Sequence, residues 1–196
     1  MSKQTDSFYN KFSFLYPLVD VFLKPQKKFL FNEINRLPEG NLLEIGVGNG
    51  AHCKLYKKHR ITGIDTSATM LEMARKKNRG NIKILKMDGK ALLFGDNEFD
   101  YVVLSHVIAV VDNPGQLLEE VLRVLKPQGQ VFILNHFTPD SWLRHIDRAF
   151  ERVSKILHFR SVFCIDEIAT IKKFVLLKEV HFGFGSYFRL LIYQKK

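Results

Sequence analysis

The first chemical signal is the run Glu44-Ile45-Gly46-Val47-Gly48-Asn49-Gly50. Glycines at alternate positions let the backbone take φ > 0 and let a ligand approach with no Cβ in the way. The acidic Glu44 stands just before them. Asp65 closes the apolar stretch Arg60-Ile61-Thr62-Gly63-Ile64, and a carboxylate there can accept both hydroxyls of a ribose. Asp88-Gly89 ends a third such stretch, and its carboxylate can accept a hydrogen bond from an adenine amino group. Ser105-His106 and Asn135-His136 end two more. A histidine titrates near neutral pH, so either one can take a proton from a reacting group. Each residue also has a plain structural reading: an ordinary glycine turn, an exposed acidic turn, a packed histidine. It is their order along the chain that points to a ligand site.

The glycine spacing separates possible ligands. A dinucleotide fingerprint reads G-x-G-x-x-G, whereas here the third glycine comes one residue early. No lysine follows as it would in a phosphate-binding P-loop.

These residues need a sheet to hold them. Apolar runs predict strands over 41–45, 60–65, 81–87, 97–105 and 131–134. Helices are expected over 51–58, 68–77 and 114–126, the last opened by Asp112-Asn113-Pro114. Alternating strands and helices build a parallel sheet with helical crossovers. Ligands of such sheets sit outside the carboxyl ends of the strands, where every candidate above falls. Residues 173–180 and 186–194 read as a closing hairpin.

Two segments stand apart. Residues 8–23 are rich in aromatics, with Phe8, Phe12, Leu15 and Val19 at helical spacing and Tyr9 and Tyr16 likewise; a second short helix over 25–37 starts at Pro25. The pair covers a sheet edge or forms a lid or interfacial element. Residues 138–160 place Trp142, Ile146, Phe150 and Val153 on one helical face, with Arg144, Arg148, Arg152 and Lys155 between them. That is an amphipathic helix whose basic face is solvated or meets anionic head groups.

A chain of 196 residues suits a single domain, 1–196, with 1–37 as its N-terminal helices and 138–160 as a basic insertion. The net charge of +10 predicts attraction to nucleic acid, acidic substrates or an anionic membrane surface. Cys53 and Cys164 are too few for a disulfide framework, so a reducing cytoplasm is expected. No HxH or CxxC cluster suggests a metal.

With these motifs in hand, the order of strand, GxGxG, Asp65, Asp88-Gly89, FDYVVLSHV and LxxVLRVLKPQGQV resembles the class I S-adenosyl-L-methionine (SAM)-dependent methyltransferases over nearly the whole chain. It looks most like the soluble bacterial phosphatidylethanolamine N-methyltransferases, through Tyr9, Tyr16, Asn35-Arg36-Leu37-Pro38, residues 104–111 and the run from Val131 to Asn-His-Phe at 135–137. The ubiquinone and menaquinone C-methyltransferases share much of this pattern. Two positions depart from it: Ala68 stands where proline is common and Gln128 where glycine is common.

The resemblance implies a Rossmann-like α/β fold, a mostly parallel seven-stranded sheet with an antiparallel C-terminal strand and helices on both faces. It implies SAM as cofactor, S-adenosyl-L-homocysteine as product and no metal. Glu44, Gly46, Gly48, Asp65, Thr66, Met70, Asp88, Gly89 and Ser105 would bind the cofactor; Tyr9, Tyr16, His106 and His136 would serve the acceptor and its chemistry. The expected acceptor is an aminophospholipid at the inner face of the cell membrane, with the enzyme cytoplasmic and peripherally bound. A nucleic-acid acceptor is disfavoured, since Ser105-His106-Val107 replaces the Asn/Asp-Pro-Pro-aromatic motif of base-amine methyltransferases. A quinone acceptor, or a catalytically silent SAM-binding protein, are the alternatives.

Overall fold

The computed structural model describes residues 16–78, 82–136, 165–182 and 188–196, with side chains from residue 25 onward except that of His136. Strands β1 (Asn41–Ile45), β2 (Arg60–Asp65), β3 (Ile82–Lys86), β4 (Phe99–Ser105), β5 (Leu125–His136), β6 (Phe174–Phe182) and β7 (Phe188–Lys195) form a sheet in the order β3-β2-β1-β4-β5-β7-β6. β1 to β5 pair in parallel. β7 is antiparallel to both β5 and β6. The expected α/β sheet and its antiparallel closing strand are therefore present.

Helices α1 (Tyr16–Arg36), α2 (Ala68–Lys77) and α3 (Pro114–Val124) accompany the strands. On one face Leu30, Phe31 and Ile34 of α1 pack with Leu42, Val103, Phe132 and Leu190. On the other, Leu117, Leu118, Val121 and Val124 of α3 pack with Leu43, Val102, Leu104 and Ile133. Cover on both faces explains why the central strands are continuous apolar runs instead of alternating ones.

Three expectations change. The helix expected over 51–58 is only a short 3-10 turn, Cys53–Leu55, with Tyr56 extended after it. The break expected at Pro25 does not occur, and α1 runs through it. Proline removes one intrahelical hydrogen bond, but Leu30, Phe31 and Ile34 beyond it are buried to 4% exposure or less. Strand five begins earlier than expected, at Leu125. Its entry is pinned by Lys126, whose ammonium reaches both Asp100 oxygens at 2.8 and 2.9 Å; Asp100 also accepts from the Asn41 amide at 2.8 Å. Two residues on from Lys126, Gln128 has φ +63, the left-handed region that glycine takes without strain.

The remaining elements match their sequence signals. Ser67 caps α2 by accepting from the Met70 amide, and Asn113 caps α3 by accepting from the Gln116 amide. The expected segment 138–160 lies outside the described residues, and so does Tyr9.

Candidate cofactor and acceptor site

β1 lies between β2 and β4, so the chain leaves it in opposite directions on its two sides. That reversal opens a crevice at the carboxyl ends, the usual ligand position in such sheets. The loop from Gly46 to Gly50 sits there. The Gly46 and Val47 amides both donate to the Ile64 carbonyl, at 2.8 and 3.0 Å, which turns the chain sharply at the end of β1.

Gly46 and Gly48 have φ values of +79 and +55. They differ in their surroundings. A Cβ at Gly46 would drive into Val107 Cγ2, whereas at Gly48 it would meet nothing within 4 Å. Gly46 is thus a packing glycine under the loop after β4, and Gly48 faces open space in the crevice. Asp65 fixes the second: its Oδ2 accepts from the Gly48 amide and its Oδ1 from the Ser67 amide, each at 2.9 Å. Thr66, part exposed, lies between Asp65 and the α2 cap, with Met70, also part exposed, in the first turn of α2.

Glu44 is 1% exposed. Its carboxylate shares a hydrogen bond with His52 Nε2 and accepts from the Tyr56 hydroxyl at 3.1 Å. Phe31 of α1 packs on both partners, with ring centroids 5.6 Å from His52 and 4.8 Å from Tyr56. Burial first, and the Glu44 charge second, hold the Tyr56 hydroxyl well above its ordinary pKa. Glu44 therefore bears on the crevice as a buried anchor of the loop. Neither His52 nor Tyr56 was foreseen from sequence; the only signal was their position in an expected helix.

Glu44, His52 and Cys53 also bring metal-ligand atoms within 4.8 Å of one another. The carboxylate oxygens already have partners, however. Burial first, then Glu44, push the Cys53 thiol up to about 12.

Asp88 is part exposed at the end of β3. Its Oδ1 accepts from the Lys90 amide at 3.0 Å. The following loop is stitched to α3, where Arg123 donates to the Leu92 and Phe94 carbonyls at 2.9 and 2.8 Å and Glu120 accepts from the Leu92 amide at 2.7 Å. A Cβ at Gly89 would come within 2.7 Å of Ile45 Cγ2 and 2.8 Å of Leu117 Cδ1. The missing side chain at Gly89 is thus accounted for by core packing, whatever its backbone contacts.

Across the crevice, β4 ends at the part-exposed Ser105. His106 follows with φ +59, and its amide donates to the Leu134 carbonyl at 2.7 Å. Its ring meets that of Phe188, with centroids 6.0 Å apart. His136 closes β5 opposite Phe188. Tyr16 opens α1. The side chains of His136 and Tyr16 lie outside the described residues.

The crevice therefore offers an uncrowded glycine, an anchored acid at the end of β2 and another after β3, and a histidine in the left-handed conformation after β4. Its open space at Gly48 and its carboxylates suit a nucleoside-linked amino acid.

The profile of a family described as a methyltransferase domain matches residues 43–133. The chain is 34% identical over 165 residues to the phosphatidylethanolamine N-methyltransferase of Cereibacter sphaeroides, covering 80% of this chain and 81% of that protein. It is 31% identical over 123 residues to a ubiquinone/menaquinone biosynthesis C-methyltransferase of Geotalea daltonii, covering 58% of this chain and 52% of that protein. In fold it matches the crystal structure of a SAM-dependent methyltransferase from Thermotoga maritima, with a TM-score of 0.73, 24% identity and 97% of each chain covered.

Proposed function

The chain belongs to the SAM-dependent methyltransferases, and from that premise we propose that it N-methylates the amine of phosphatidylethanolamine or a related aminolipid at an anionic membrane surface. The observation that carries the acceptor is the similarity to a phosphatidylethanolamine N-methyltransferase across four-fifths of both proteins.

SAM bound in the crevice supplies an electrophilic methyl on a sulfonium, leaving S-adenosyl-L-homocysteine as product. In this reading Gly46 and Gly48 underlie its methionine part, with Glu44 anchoring the loop from below. Asp65 takes the ribose, Asp88 and Gly89 border the adenine, and Thr66 and Met70 line the α2 side. Ser105 stands by the reacting centre. The acceptor amine must lose a proton, to His106 or His136 directly or through water, or to solvent with no dedicated base. Tyr9 and Tyr16 serve the head group from the N-terminal segment. Most of the rate comes from holding amine and methyl in line in a site closed to water.

The net charge of +10 supports attachment to an anionic leaflet, where each lysine or arginine near the surface contributes about 1 kcal/mol. Among the described residues no helix is long and apolar enough to cross a membrane. Such an enzyme would work from the cytoplasmic side as a peripheral protein. The quinone reading is favoured by the C-methyltransferase relatives, which match a smaller share of the chain.

The test is methyl transfer from labelled SAM to vesicles containing phosphatidylethanolamine, with demethylmenaquinone and bulk RNA in parallel. Label in mono-, di- or trimethylated phosphatidylethanolamine supports the proposal. Label only in the quinone keeps the cofactor site and replaces the acceptor. Binding of SAM with label nowhere points to a silent binder.

A further inference from the structure

We infer that Phe188 on the closing strand shapes the acceptor side of the site and receives the cationic head of the substrate. The inference rests on the amine-acceptor reading above.

β7 runs antiparallel to β5, so its first residue, Phe188, arrives at the carboxyl end of β5 opposite His136. There its ring meets His106 edge to face, with centroids 6.0 Å apart and planes at 74°. His106 is held at φ +59. Histidine is among the few side chains that take this left-handed conformation readily, and here it turns the chain at the tip of β4. Val107, the next residue, packs against Gly46 in the cofactor loop. His106 thus has the glycine loop on one flank and Phe188 on the other.

The aromatic wall continues outward. Phe188 pairs across strands with Phe182, whose ring meets Phe29 of α1 at 5.6 Å. Lys178 ties the same strand to α1 by an ion pair with Glu33 at 2.6 Å. Phe29, Phe182, Phe188 and His106 are all part exposed. They form a row from the tip of β4 to α1 along the acceptor side of the crevice.

A part-exposed aromatic ring beside His106 is a partner for a cation, which it attracts through its negative face. The acceptor nitrogen is neutral when it attacks and becomes cationic as it takes the methyl. Phe188 therefore favours the late, charged state over the starting one, which is the condition for raising rate and not only affinity. A neutral quinone gains nothing from such a contact. The inference makes Phe188 a specificity-determining residue for amine acceptors, and one outside every sequence motif of the cofactor site.

Two measurements test it. In the first, choline and its uncharged isostere 3,3-dimethyl-1-butanol compete with phosphatidylethanolamine vesicles on the unaltered enzyme. Choline is expected to inhibit the more strongly; equal inhibition overturns the inference. In the second, Phe188→Leu and Phe188→Tyr are assayed on vesicles of phosphatidylethanolamine and its mono- and dimethyl derivatives, with SAM affinity read by calorimetry. Leu is expected to lower kcat/KM by roughly 2- to 30-fold, with Tyr near the unaltered enzyme and SAM affinity unmoved in both. A Leu variant matching the unaltered enzyme on all three lipids overturns the inference and leaves the lipid reading standing. A Leu variant that loses SAM affinity and lipid activity in proportion shows a packing residue and also overturns it. An unaltered enzyme that transfers no methyl to any of these lipids overturns both.

Discussion

Gly46→Ala and Gly48→Ala form a matched pair, because the two glycines share a backbone state and differ in their surroundings. Both lie at positive φ. An alanine there costs about 1–2 kcal/mol for the left-handed conformation, offset in part by its less flexible unfolded chain. For Gly48→Ala that is nearly the whole structural effect, since its Cβ would meet nothing within 4 Å. The expected loss is about 1 kcal/mol, seen as a fall in Tm of roughly 2–4 °C for a chain of this length. Gly46→Ala adds a collision with Val107, and overpacking of this kind costs a further 1–3 kcal/mol or so. Stability thus ranks Gly48→Ala well above Gly46→Ala in urea unfolding. Cofactor binding should tell a different story. If the open space at Gly48 is where SAM lies, the new methyl overpacks the ligand and weakens binding by about 5- to 150-fold, despite the near-intact fold. Titration calorimetry with SAM reads this directly. A Gly48→Ala protein that binds SAM like the unaltered one would show that the open space belongs to solvent, and the placement of the cofactor over the loop would fall.

Three further outcomes follow from described contacts. Asp65→Ala should lose most SAM affinity while the sheet survives, because it removes the acceptor of both the Gly48 and Ser67 amides; unchanged affinity by calorimetry would refute the ribose role. Burial alone would raise the Asp100 carboxyl, but the Lys126 ammonium and the Asn41 amide outweigh it and hold the group below its ordinary value. A depressed folded pKa stabilises the fold above the unfolded value, near 3.9, and the contribution is lost as pH falls through the folded value. Asp100→Asn should therefore lower the urea midpoint at neutral pH, with the deficit shrinking below about pH 4; a deficit that grows in acid would contradict the Lys126 pairing. Gln128→Gly should raise stability by up to roughly 1 kcal/mol by relieving φ +63, with methyl transfer unchanged; a lower Tm would show that the side chain supports the turn.

The cofactor half of the site was the more legible. GxGxG, Asp65 and Asp88 announce themselves because backbone conformation and strand ends restrict which residues can stand there, and each falls at the carboxyl edge as expected. What escaped sequence reading depends on the third dimension. The segment after Gly50 has helical composition, yet it forms only the 3-10 turn Cys53–Leu55 with Tyr56 extended after it. The crowding of Gly89 by Ile45 and Leu117 involves distant elements and is invisible in the motif. The partners of Glu44, His52 and Tyr56, come from a segment that carries no motif. Phe188 has no motif, since only the antiparallel insertion of β7 between β5 and β6 brings it to the crevice.

That insertion also bears on the order in which the sheet assembles. β1 pairs with β2 between residues close in sequence, Asn41 with Arg60. β5 must wait for a strand much further along, pairing Gln130 with Gln194 and His136 with Phe188. Closing a longer loop costs more chain entropy, and distant pairings slow folding. The cofactor half is favoured to form first, as a nucleus of local crossovers, with the acceptor wall added when β7 docks. Until then the apolar edge of β5 stands open to pairing with other chains. Core substitutions in β7 should consequently show low φ-values, speeding unfolding more than they slow folding.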